Sequence, residues 1–152
     1  MNKNKNLITT FNNAIRKLKA EGYSIDLKKE DSDRISTTIR TDDSTYAYIG
    51  TYTEQEDLLY TVFIYPVEFD TLPIREGDTL ESIVNTFNMT SIGSKCAIID
   101  KESNKLRFQN DHFYKSKCLE SDIVEDVRYF IYDAKNNVSY FKSIIERVEF
   151  KK

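Results

Sequence analysis

Over the last quarter of the chain, apolar residues recur at every third or fourth position. Ile123, Val127, Phe130, Ile131, Ala134, Val138, Phe141, Ile145 and Val148 fall on one stripe of a 3.6-residue helix. Asp122 just before the stripe and Glu125 three residues later make a capping-box start. Neither Pro nor Gly interrupts the span to Val148, about 40 Å at 1.5 Å per residue. The pattern predicts a helix that crosses a whole sheet face. A shorter stripe, Leu80, Ile83, Val84 and Phe87, opens with Asp78 and Glu81 and closes near Ser91, with Gly93 suited to a positive-φ C-cap. Between the two helices, Lys95 to Asp100 and Lys105 to Gln109 alternate with period two around Lys101-Glu102-Ser103-Asn104. That is the pattern of a β-hairpin.

The first half reads in the same grammar. Leu7, Ile8, Phe11, Ala14, Ile15 and Leu18 form a helical stripe that Gly22 stops. Tyr23, Ile25 and Leu27 mark a first strand, and Ile35, Thr37 and Ile39 a second, with Lys28 to Asp33 a charged turn between them. Thr41-Asp42-Asp43-Ser44 is a polar turn. In a third strand Tyr46, Tyr48 and Tyr52 share one face, and Ala47 and Ile49 the other. The acidic stretch Glu54 to Asp57 reads as a loop, and Leu58 to Phe69 as a central strand, apolar on both registers. Pro66 removes a ladder donor and predicts a bend or an edge there. The order is α-β-β-β-β-α-β-β-α. It predicts an α+β fold: one domain, an antiparallel sheet covered by an N-terminal helix, a short middle helix and a long C-terminal helix. Residues 1–6 are expected to be disordered.

Composition narrows the classes. The chain has 152 residues, 39% hydrophobic and 12% aromatic, enough for a core and unlike a disordered segment. Its 22 basic and 25 acidic residues are scattered, with a net charge of −3, which argues against a nucleic-acid surface. The longest nearly apolar run, Val62 to Val67, is far too short for a membrane span. Met1 to Asn6 carries no apolar segment behind it, so no secretory signal is read there. Cys96 and Cys118 lack metal-binding spacing and are expected as reduced cytoplasmic thiols.

Several stretches resemble the YbjN-like family. Phe63-Ile64-Tyr65-Pro66-Val67 is similar to its apolar strand before the middle helix. Ile83-Val84-Asn85-Thr86-Phe87-Asn88 resembles its apolar-Asn-x-x-Asn helix, and Gly93 to Asp100 its Gly-x-apolar-x-apolar-Asp hairpin. Met89, Thr90 and Ser91 depart from the polar residues that usually follow. The resemblance implies a small bacterial α+β protein similar in fold to type III secretion chaperones, which bind polypeptide segments. It supplies no catalytic residues.

The candidate chemistry is thin. His112 is the only histidine, so histidine-based triads and zinc clusters lack parts. It suits a general base or, more blandly, a hairpin-end histidine. Glu54, Glu56 and Asp57 lack the Gly-containing loop of a calcium site. Cys118 precedes a helix N-terminus, a place that lowers a thiol pKa, yet an inert thiol is the simpler reading. No catalytic residue, metal site or cofactor is expected.

Binding gives the sharper expectation. Tyr129, Tyr140 and Ile144 fall opposite the main stripe of the long helix, with Tyr132 on its flank. Tyr offers apolar area with a polar tip and is enriched at interfaces. This second stripe suits a protein partner or self-association as a homodimer, against the alternative of scattered exposed tyrosines. Tyr46, Tyr48 and Tyr52 suit a peptide groove on the sheet, or core beneath a helix, the latter favoured because one sheet face needs cover. The function expected is a non-enzymatic, chaperone-like or adaptor module binding a polypeptide. The alternative is a carrier of a small apolar ligand between sheet and long helix. Neither nucleic acid nor membrane is expected as a partner.

Overall fold

The computed structural model describes residues 3–29, 34–40, 46–55, 58–115 and 117–147, with side chains for 7–26, 37–40, 58–115 and 117–146. The elements are α1 (Lys3–Ala20), β1 (Ser24–Lys29), β2 (Arg34–Arg40), β3 (Tyr46–Gln55), β4 (Leu58–Glu68), α2 (Leu80–Thr90), β5 (Lys95–Asp100), β6 (Lys105–Lys115) and α3 (Glu120–Arg147). Their order is the α+β order expected from the sequence. The strands hydrogen-bond in the order β1-β2-β3-β4-β6-β5, antiparallel in each register described. Short connections make the β1-β2-β3-β4 meander and the β5–β6 hairpin natural antiparallel pairings. From β4, by contrast, the chain passes through α2 to the edge strand β5 before β6 returns beside β4. The chain divides into two compact units, Met1–Ile64 with Asp111–Ile131, and Tyr65–Asn110 with Tyr132–Lys152.

In the first unit the registers set Ile25 opposite Ile39 and Ile49 opposite Phe63. Directly opposed residues of antiparallel strands point to the same face. That face is the covered one: Ile25, Ile39 and Phe63 are buried, and Phe63 meets Phe130 of α3 at 5.3 Å between ring centroids. Phe11, Ala14 and Leu18 of α1 are fully buried as well, which accounts for the apolar stripe of that helix. The ladder between β3 and β4 runs to Tyr48 opposite Ile64, two residues short of Pro66. Pro66 thus lies beyond that ladder, where its missing N–H costs no bond to β3.

In the second unit an aromatic cluster forms the core. Phe141 of α3 meets Phe69, Phe87 and Phe108 at 5.8, 6.2 and 6.1 Å. Phe87, Phe108 and Phe141 are fully buried. On β5, Cys96 and Ile98 oppose Phe108 and Leu106, so the alternation predicted for the hairpin is the one that feeds this core. Asn104 ends the hairpin turn at φ 53°, a conformation Asn tolerates better than most residues.

Several boundaries differ from expectation. Helix α1 begins at Lys3, so its first turn takes in Lys3 to Asn6, part of the segment expected to be disordered. Helix α2 is capped by Thr79, not Asp78. Thr79 Oγ1 accepts from Ser82 N–H, and Ser82 Oγ accepts from Thr79 N–H, both at 3.1 Å. Glu81 instead takes Lys101 Nζ at 2.6 Å. Helix α3 starts at Glu120, so Asp122 lies in the first turn and accepts from Leu119 N–H at 3.0 Å, while Glu125 pairs with Arg128. Gly93 has φ 91°, but the α2 C-cap is Ser91 at φ −77°. Strand β6 continues to Lys115, which makes His112 a mid-strand residue rather than a hairpin end. The turns expected at Lys28 to Asp33 and Thr41 to Ser44, and the end of the long helix at Val148, fall wholly or partly outside the described residues.

Candidate functional site: an open sheet face in the first unit

The same registers that build the covered face define an opposite one. Ser24 opposes Arg40 and Asp26 opposes Thr38. Thr38 opposes Tyr48, Tyr48 opposes Ile64, and Tyr52 opposes Tyr60. No helix contact is described on this face. Ser24, Asp26 and Arg40 are exposed, and Thr38, Tyr60 and Ile64 half-buried. A polar depression of about 290 Å³ between β1 and β2 is lined by Ser24, Asp26, Thr38 and Arg40. On β6 the alternation puts His112 and Tyr114 on the helix side and Phe113 on the open side. Phe113 is 61% exposed, and its ring lies 4.9 Å from that of Tyr60. Tilted aromatic pairs of this kind contribute roughly 0.5–1.5 kcal/mol beyond their burial, which holds both rings in place without hiding them. Gly50 adds no side chain opposite Val62 on this face, and Val62 itself is buried.

The strand tyrosines expected at a groove or in the core are Tyr46, Tyr48 and Tyr52. Their backbone positions oppose Arg40, Thr38 and Tyr60 respectively, or in the case of Tyr48 also Ile64. Their side chains lie outside the described residues.

The second tyrosine stripe expected on α3 is not continuous. Tyr129 and Tyr132 are exposed, at 61% and 68%. Tyr140 is half-buried: its ring lies 5.7 Å from that of Phe87 and its hydroxyl donates to Thr90 Oγ1 at 2.6 Å. Ile144 is buried, at 4% exposure. The correction has a plain cause. Within the second unit α2 flanks α3, so the buried arc of α3 is wider than its main apolar stripe, and Tyr140 and Ile144 belong to packing.

The chemistry-bearing side chains are held in ways that quiet them. His112 Nδ1 lies 3.5 Å from Asp126 Oδ2, the oxygen that accepts the Tyr114 hydroxyl at 2.7 Å. Burial holds the imidazole below its ordinary pKa against the pull of Asp126 and Asp111. At neutral pH the contact is therefore a neutral ring beside a carboxylate, not an ion pair. Burial and the bond to Asp126 push the Tyr114 hydroxyl up, so it stays a donor. Cys118 is a free thiol pushed up to about 11 by burial and by Asp122 and Asp126. The lowering that a helix N-terminus can give a thiol is outweighed first by burial and then by the charges of Asp122 and Asp126. Cys96 is free and buried, pushed up to about 12. Among the described residues no group of three or more His, Cys, Asp or Glu is placed to hold a metal ion. Glu54, Glu56 and Asp57 lie outside the described side chains.

In the second unit, Leu72, Pro73 and Ile145 help to line an apolar depression of about 160 Å³, below the roughly 300–1,000 Å³ of ordinary ligand pockets. No helix among the described residues is long and apolar enough to cross a membrane. Comparison with protein-family models, curated proteins and solved structures finds no match.

The sequence reading missed Phe113 and Tyr60. The signal was there: once β6 is extended past Gln109, period two puts Phe113 and His112 on opposite faces. Ending the strand at Gln109 hid it.

Proposed function

We propose that this chain is a non-enzymatic interaction module, chaperone-like or adaptor-like, that takes a polypeptide segment across the open sheet face of its first unit. The carrying observation is the Tyr60–Phe113 pair, an aromatic surface with Phe113 61% exposed on a face where no helix contact is found among the described residues. Aromatic side chains presented this way supply binding area at low entropy cost. Half-buried Ile64 adds apolar area on the same face, and Ser24, Asp26, Thr38 and Arg40 supply a polar end. Binding then rests on aromatic and apolar burial with a polar rim. The resemblance to the YbjN-like family points the same way, toward a polypeptide partner in a bacterial cytoplasm.

The test is selection of short unstructured peptides from a displayed library on the wild-type chain, followed by titration of the selected peptides. Phe113→Ser and Tyr60→Ser are expected to weaken them by about tenfold or more, the scale of a central aromatic anchor. Tyr132→Ser, on the exposed side of α3, leaves them unchanged. Equal binding by all three variants rules out this face. Loss with Tyr132→Ser alone, accompanied by a change in mass in sedimentation, moves the reading to self-association through α3.

A further inference from the structure

His112 is the chain's single histidine, and in the first unit it lies between β4, β6 and α3. Phe63 of β4 packs on its ring at 4.6 Å, and Tyr114 lies nearly parallel to it, 8° between planes, at 6.0 Å. On the α3 side stands Asp126, whose Oδ2 is shared by the Tyr114 hydroxyl and the imidazole edge. A titratable ring is thus wedged between an aromatic wall and a carboxylate already committed to another donor. We infer that His112, Tyr114 and Asp126 form an acid-sensitive latch between β6 and α3, closed with a neutral imidazole and loosened when the imidazole takes a proton.

The charges around the ring are acidic. Asp126 faces it from α3, with Asp122 about one turn earlier acting on Tyr114 and on the Cys118 thiol. Its own strand supplies Asp111 and Tyr114, and β4 offers only the uncharged Phe63. Arg128, further along α3, is engaged by Glu21 and Glu125. The nearby carboxylates favour the imidazolium, and burial opposes it more strongly, so His112 titrates below its ordinary value. A depressed histidine stabilises the fold fully above its unfolded pKa, about 6.5, and that contribution is lost as pH falls through the folded value. Below it the ring is either a poorly solvated cation or it reaches water by opening the contact. The residue after His112 is Phe113, on the opposite face of the same strand. The latch therefore sets how firmly β6 presents Phe113, a consequence that rests on the proposed binding face, whereas the latch itself does not.

A single histidine gives a single imidazole resonance, so proton NMR of the unliganded chain tests the latch directly. The wild-type ring is expected to titrate below about 6.5. Asp126→Asn removes an attracting charge and moves it lower. Tyr114→Phe frees Oδ2 for the imidazolium and moves it up. In urea, the wild-type unfolding midpoint falls between about pH 7 and 5, the range of histidine titration, and falls less in His112→Gln. A wild-type ring titrating at or above the ordinary value overturns the latch, as does an identical pH dependence in His112→Gln. Should that variant not fold, the wild-type titration decides alone. No peptide is present, so a failed latch leaves the binding face to its own test.

Discussion

Asn88 on α2 holds β5 by both ends of its amide. Its Oδ1 accepts from Cys96 N–H at 2.7 Å and its Nδ2 donates to Cys96 C=O at 2.9 Å. Strand β5 is last in the hydrogen-bonding order, so among the described residues these backbone groups have no strand beyond them to pair with. The side chain stands in for one residue of a missing neighbour, a way of blunting a sheet edge. Asn88→Ala removes both bonds. Each is worth about 1 kcal/mol net, and the part-buried site lets water replace them only in part, so the local loss is about 2 kcal/mol. That corresponds to roughly a thirtyfold fall in protection of the Cys96 amide. Amide hydrogen exchange is the assay, because it reads this site alone and does not require the two units to unfold together. Asn85→Ala, exposed on the same helix, is the control, expected within about 0.5 kcal/mol of wild type. A freed edge also predicts concentration-dependent association of Asn88→Ala in sedimentation. Unchanged protection of Cys96 in Asn88→Ala refutes the reasoning, since the bonds then contribute nothing that water does not replace.

Three further outcomes follow from the packing. Thr79→Ala removes the cap acceptor for Ser82 N–H and is expected to cost about 1 kcal/mol, read as faster exchange of the first-turn amides of α2. Phe141→Ala empties the centre of the aromatic cluster in the second unit and is expected to cost about 3–5 kcal/mol, seen as a lowered Tm. A loss below about 1 kcal/mol is incompatible with a fully buried hub. The thiols of Cys96 and Cys118, pushed up to about 12 and 11, should react slowly with iodoacetamide at neutral pH and quickly after unfolding. Fast native labelling of Cys118 contradicts the burial and the carboxylates that hold its thiol protonated.

Much of the architecture is legible in the pattern of residues because helices and half-buried strands impose periods that side chains must obey. The stripe through Phe130 and Phe141 and the alternation of Cys96 and Ile98 are direct images of what packs on what. Caps were less legible. Asp78 and Asp122 look like N-caps, but Thr79 and Leu119 precede the helices, and only the hydrogen bonds to Ser82 and from Leu119 reveal it. The outer side of α3 was misjudged for a different reason. A helical wheel knows one partner, the sheet, while Tyr140 packs against Phe87 and Thr90 of α2, a neighbour supplied by tertiary structure. The open face was half visible. The alternation in β3 put three tyrosines together, but only the registers to β2 and β4 show that their positions oppose Arg40, Thr38 and Tyr60 and not the buried Ile39 and Phe63.

The claim at the centre is that the face marked by Tyr60 and Phe113 binds a polypeptide segment. The most direct measurement is an NMR footprint of a library-selected peptide on the isotope-labelled chain. The account predicts shifts concentrated at Thr38, Tyr60, Val62, Ile64 and Phe113, abolished by Phe113→Ser. Shifts concentrated at Tyr129 and Tyr132, with the β4 and β6 amides unmoved, contradict it.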